Sequence, residues 1–123
     1  MDDAMRSGVI RLADYAVKVP TPEGERSVLA LKRGTLDVRL SIPVPPNLQT
    51  PHEQDELYSV IRGEGVLIHD GERTSFSAGD LLFVAAGVEH HYADFSDDLA
   101  LWRIFYGKVG GEIEPSLSSS CRT

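Results

Sequence analysis

Leu36-Asp37-Val38-Arg39-Leu40-Ser41-Ile42 alternates strictly between aliphatic and polar residues. Successive side chains of an extended strand point to opposite faces, so Leu36, Val38, Leu40 and Ile42 share one face and Asp37, Arg39 and Ser41 the other. This is the pattern of a half-buried β-strand, with the aliphatic face expected inward and Arg39 at the surface. Further short runs rich in Val, Ile, Leu, Tyr and Phe lie at 15–19, 27–31, 56–62, 66–69, 81–84, 90–93 and 99–106, and 11 Gly and 7 Pro punctuate the chain. Pro22-Glu23-Gly24-Glu25, Asp70-Gly71, Ala78-Gly79-Asp80 and Ala86-Gly87 supply turn chemistry between the runs. Asp-Gly suits a tight hairpin because both positions tolerate positive φ. Apolar residues nowhere recur at helical spacing for long, so the spacing predicts an all-β sandwich or barrel with at most one short helical turn.

The chain has 123 residues, the size of one domain. Twelve Lys and Arg against 19 Asp and Glu give a net charge of −7, which argues against nucleic acid and anionic membranes as partners. A single cysteine allows no internal disulfide, so packing must hold the fold, and a reducing cytoplasm fits. The start, MDDAMRSG, has no apolar h-region, and no stretch approaches the ~18 apolar residues of a membrane span. The expectation is a cytoplasmic protein with one domain over 1–109. Residues 110–123 are expected to form a flexible tail, because only Ile113 and Leu117 could anchor them. Cys121, in that tail, reads as an incidental exposed thiol.

Chemistry concentrates in two places. In Thr50-Pro51-His52-Glu53-Gln54-Asp55-Glu56, His52 and Glu56 are four apart and on an extended strand project to one side, with Thr50, Gln54, Tyr58 and Val60. A carboxylate pointing into a barrel requires a partner or a metal, so Glu56 needs one. In Gly87-Val88-Glu89-His90-His91-Tyr92, the two histidines face opposite ways, and only one of them can point inward.

These two stretches resemble the paired signatures of the cupin superfamily. His52, three residues, Glu56, six residues and Gly63 follow the spacing of the first signature, and Gly79, Gly87 and His90 fall in register with the second. The resemblance covers roughly residues 36–107, with an Asp-Gly hairpin between the motifs. Thr50 stands where the family has its first His, Ala85 where it has Pro, Asp94 where it has Asn, and Val44 where the opening Gly would be. The resemblance implies a jelly-roll barrel whose mouth holds the site.

With the first family His replaced, the ligand set is His52, Glu56 and His90. Two imidazoles and a carboxylate bind Fe(II) with open positions, and the same ligand types serve catalytic Zn. The expected cofactor is one divalent transition metal, Fe, Zn, Mn or Ni, released as pH falls through about 6 because His ligands must be neutral. Thr50, Gln54, Tyr58 and Tyr92 are the candidate substrate-pocket residues, Thr50 through a hydrogen bond to a bound water. Arg39 and Arg103 can each match a carboxylate, with Arg39 expected on the surface. Trp102 and Phe105 read as core, and His69 as an exposed hairpin residue. The resulting reading is a metal-binding small-molecule cupin, a dioxygenase, isomerase or related enzyme acting on a small oxygen-bearing organic substrate. The alternatives are a sensor or regulatory binding module and a structural dimer with a vestigial site. Cupins commonly pair through their sheets, so a homodimer is expected.

Overall fold

The computed structural model describes residues 6–47, 49 and 51–112. It holds one short helix, α1 (Leu12–Ala16), and eight strands: β1 (Ser27–Arg33), β2 (Leu36–Ser41), β3 (Asp55–Arg62), β4 (Glu64–His69), β5 (Glu72–Ser77), β6 (Leu81–Val84), β7 (His90–Ala93) and β8 (Ala100–Tyr106). A five-stranded sheet in the order β1-β2-β8-β3-β6 stands against a three-stranded sheet in the order β5-β4-β7. All pairings are antiparallel. Tyr58, Val60, Leu82, Val84 and Leu101 from the larger sheet meet Leu67, Phe76 and Tyr92 from the smaller in one buried core. This is the all-β jelly-roll barrel that the strand rhythm and the motif resemblance predict.

Two strand readings change. The run at 15–19 is not extended: Leu12–Ala16 form a helical turn, and α1 packs against β2 with the Tyr15 hydroxyl donating to the Ala30 carbonyl (3.4 Å). Leu12, Ala13 and Ala16 are strong helix formers, and the β-branched Val17 and Val19 that suggested a strand lie just beyond the helix. Conversely, β5 escapes a hydrophobic scan because Phe76 is its one buried residue. The hairpin at Asp70 (φ 52°) and Gly71 (φ 83°) holds it beside β4.

The larger correction concerns β2. Asp37, Arg39 and Ser41 pair across the sheet with Phe105, Arg103 and Leu101, which in turn oppose Glu56, Tyr58 and Val60 on β3. The polar face of β2 is therefore the inner one. Asp37 and Ser41 are buried, and Arg39 lines a cleft, bound to Asp37 through two hydrogen bonds of 2.8 and 3.2 Å. The aliphatic face points outward, yet Leu40 on it is fully buried.

Gly63 makes the tight passage from β3 to β4 with φ +88°, and a Cβ there would stand 2.7 Å from the Leu99 Cα. An L residue in left-handed conformation costs about 1–2 kcal/mol before any clash. Gly63→Ala is therefore expected to lower unfolding stability by at least about 2 kcal/mol in a urea titration. A change within experimental error would show that this turn can rearrange freely.

Candidate metal centre

Glu56 sits near the start of β3, a strand flanked by β8 and β6 and hydrogen-bonded on both edges. Its side chain is 1% exposed. His90 opens β7 on the opposite sheet and is fully buried, while its neighbour His91 faces solvent. His52 is not on a strand: it lies in the loop before β3. Its carbonyl accepts the Gly87 amide at 2.8 Å, which fastens this loop to the β6–β7 connection. The three side chains offer donor atoms that all lie within 4.8 Å of one another. Glu56 Oε1 is 3.1 Å from His90 Nε2, and Glu56 Oε2 is 3.8 Å from His52 Nε2. His52, Glu56 and His90 thus converge, although only Glu56 and His90 reach the site from strands.

Hydrogen bonds define which atoms face the centre. His90 Nδ1 donates to the Val88 carbonyl (2.9 Å), so in the neutral ring Nε2 bears the lone pair. That lone pair faces Glu56 Oε1 and the Tyr58 hydroxyl at 2.8 Å. Tyr58 donates to Glu56 Oε2 at 2.6 Å. A neutral imidazole and an ionised carboxylate would repel at this separation, so a positive charge must lie between them, either a proton on Nε2 or a metal cation. Burial opposes ionisation of both groups, but their mutual hydrogen bond and charges outweigh it. Glu56 is held below the usual carboxylate range and His90 above the usual imidazole range.

His52 behaves differently. Burial lowers its pKa, Glu56 partly offsets this, and the Arg103 charge adds to the lowering. Arg103 Nη2 lies 3.4 Å from His52 Nε2, and a guanidinium can only donate, so the neutral His52 turns its Nε2 lone pair to Arg103, a hydrogen bond that a metal held by His52 would replace. Phe105 packs edge-on against the His52 ring at 4.8 Å. Neutral imidazole nitrogens, one anchored through Nδ1 to a backbone carbonyl, and a carboxylate oriented by a tyrosine are a donor set suited to Fe(II) or Zn.

The remaining candidates distribute unevenly. Tyr58 lies behind the ligands, fully buried, and burial together with the neighbouring Tyr92 and Glu56 pushes its phenol far above the usual range. Tyr92 lines a cleft of 290 Å³. Gln54 points away from the centre: its amide donates to the carbonyls of Thr35 and Gly107, although it borders a second cleft of 590 Å³. Thr50 and Cys121 lie outside the described residues. Arg103 is the largest gain, since it reaches Glu56 (3.6 Å) and His52 and lines both clefts. Asn47 and Gln49 carried no signal in the sequence. Asn47 Oδ1 accepts the Tyr92 amide and the Gln49 side chain, and Gln49 Oε1 stands 3.3 Å from the Tyr58 hydroxyl. Gly110 and Glu112 donate their amides to Glu53 O and Asp55 Oδ2.

A double-layered antiparallel barrel with two histidines and a glutamate converging in it defines a cupin-type protein. The cupin domain family model matches residues 43–104, and the chain belongs to that family. In solved structures it is similar to a cupin 2 conserved barrel domain protein from Salinispora arenicola, with a TM-score of 0.65 and 18% identity over 82% of this chain and 90% of that one. It is also similar to the Fe(II) form of HppE in complex with substrate, with a TM-score of 0.57 and 15% identity over 65% of this chain and 52% of that one. An uncharacterised protein of Streptomyces coelicolor is 37% identical over 57 residues, which is 46% of this chain and 54% of the relative. The chain spans about half the length of the curated relatives it matches. No described helix is long and apolar enough to cross a membrane.

Proposed function

We propose that the protein is a metal-dependent cupin enzyme acting on a small oxygen-bearing organic molecule at the barrel mouth, with His52, Glu56 and His90 as the metal ligands. The observation that carries this reading is the pair of buried acceptors, Glu56 Oε1 and His90 Nε2, held 3.1 Å apart with the other ring nitrogen already committed to Val88. A divalent metal bound there would act as a Lewis acid or bind O₂ or water, leaving coordination positions open for substrate. Glu56 would serve as a ligand, not as a general base. Tyr58 fixes its carboxylate orientation through the 2.6 Å hydrogen bond, and the half-exposed His52 borders both clefts through which a small molecule would enter. The same-fold Fe(II) form of HppE with its substrate supports the reading by fold alone.

A second reading has its own support: a proton on His90 satisfies the same geometry, which would suit a binding module without metal. The deciding experiment is elemental analysis of untagged protein, followed by soaking metal-free protein with Fe, Zn, Mn and Ni. About one metal per chain is expected. Protein that stays metal-free after every soak would reject the metal assignment. Oxygen uptake or product formation across diketones, phenolics and sugars then separates enzyme from binder. A homodimer through the outer face of the five-stranded sheet belongs to this proposal, because Leu81 and Phe83 on β6 remain 65% and 55% exposed there. A reducing cytoplasm belongs to it too, resting on the single cysteine.

A further inference from the structure

Although the chain carries a net charge of −7, the barrel mouth gathers arginines. Arg26 and Arg103 line the 290 Å³ cleft, and Arg39 and Arg103 line the larger one. Their states differ. Arg39 is neutralised by its two hydrogen bonds to Asp37. Arg26 spends Nε on the Ile42 carbonyl at 2.9 Å, with no carboxylate partner among the described residues. Arg103 faces Glu56 at 3.6 Å, but Glu56 is already bonded to His90 and Tyr58. No described residue lining the 290 Å³ cleft is acidic.

A second observation points to the same cleft. Among the described residues, two buried side-chain polar atoms have no hydrogen-bond partner, the Tyr92 hydroxyl and Arg103 Nε, and both residues line this cleft. Tyr92 is 2% exposed. Buried donors normally find acceptors, and an unpaired one is a standing penalty unless something else supplies the acceptor. A guanidinium can only donate, so the arginines that line this cleft call for an acceptor-rich anion. The planar guanidinium matches the two oxygens of a carboxylate, and a cleft of 290 Å³ lies at the small end of ligand sites, which begin at about 300 Å³.

We propose that this cleft binds a small carboxylate, its charge taken by Arg103 with Arg26. The assignment deepens the proposed function by naming the substrate class as small carboxylic acids, and it rests on that reading only for the claim that the bound acid is a substrate.

The test is calorimetric titration of the full chain, metal-free and zinc-loaded, with acetate, glycolate and malonate, with acetamide, glycolamide and malonamide as uncharged counterparts, and with inorganic phosphate. Metal-free protein is expected to bind at least one carboxylate in the millimolar range, at least about tenfold more tightly than its amide and than phosphate. Arg103→Gln should weaken that binding at least about tenfold, the scale expected for a lost charged hydrogen-bonding partner. Arg26→Gln offers a second variant, which leaves Glu56 and the buried core untouched: it should weaken carboxylate binding several-fold. Equal binding of acids and amides, tighter binding of phosphate, unchanged affinity in both variants, or no carboxylate bound at about 10 mM would each overturn the proposal. Zinc binding without carboxylate selectivity would sink this inference alone, whereas arginine-dependent carboxylate binding in a protein that refuses zinc would uphold it and sink the metal reading.

Discussion

His90→Ala is expected to abolish stoichiometric metal binding and to lower the stability of the metal-free protein by about 3–5 kcal/mol, the range for stripping one partner from a buried ion pair. The size of the effect follows from what would be left behind. Glu56 is 1% exposed, and without His90 its remaining contacts are the Tyr58 hydroxyl and the more distant His52 and Arg103. Glu56→Gln supplies the contrast. A neutral amide can donate to a neutral His90 Nε2 in nearly the same space, so metal binding should go while stability falls by only about 1 kcal/mol. Urea unfolding of metal-free protein and elemental analysis after zinc soaking measure both quantities. If His90→Ala held zinc at wild-type affinity, His90 would be no ligand.

Acidity should move metal-free stability and metal affinity in opposite directions above pH 6.5. In the metal-free protein His90 has a raised pKa, so it stabilises the fold fully below the ordinary imidazole value of 6.5, and that contribution is lost as pH rises through its folded-state pKa. His52, whose pKa is lowered, is neutral in both folded and unfolded chains above 6.5 and adds no slope in that window. Glu56, with a lowered pKa, is likewise ionised in both states there. Metal-free stability should therefore fall as pH climbs above 6.5. Metal binding must displace the His90 proton, so its affinity should rise with pH, by up to about tenfold per unit, until the folded-state pKa of His90 is passed. Below the lowered pKa of His52, where two imidazoles compete, the slope should steepen toward about 100-fold per unit. Zinc titrations and unfolding curves at matched pH values check the two signs. If zinc affinity proved flat over the pH range above 6.5 in which metal-free stability falls, the proton on His90 would not be what the metal replaces.

Much of the architecture is legible in the chain, for a local reason. The strands β1, β2, β3, β4, β6, β7 and β8 all announce themselves through β-branched and aromatic runs between Gly and Pro turns, and Asp70-Gly71 adopts the positive φ that its chemistry allows. β5 does not announce itself, because a strand with one buried residue owes its place to backbone pairing with β4 and not to its own hydrophobicity. The valines at 17 and 19 mislead in the opposite direction, since the helix-forming residues before them decide the local conformation.

The site divides along the same line. Spacing in the two motifs was enough to nominate His52, Glu56 and His90, and the alternation of strand side chains was enough to send His90 and His91 to opposite faces. What only the tertiary structure decided is which side of each alternating strand is the inside. Residues 36–42 separate aliphatic from polar side chains, but period two says nothing about where the barrel interior lies. Pairing of β2 with β8 turns the polar face inward, bringing Asp37 and Arg39 to the mouth beside Arg103. Likewise, no local rule sends Gln54 to the carbonyls of Thr35 and Gly107 instead of to the ligands, or leaves Tyr92 without a partner in an arginine-lined cleft. Side-chain periodicity is a property of a few neighbouring residues, whereas inside and outside are defined only once distant strands have closed around a common core.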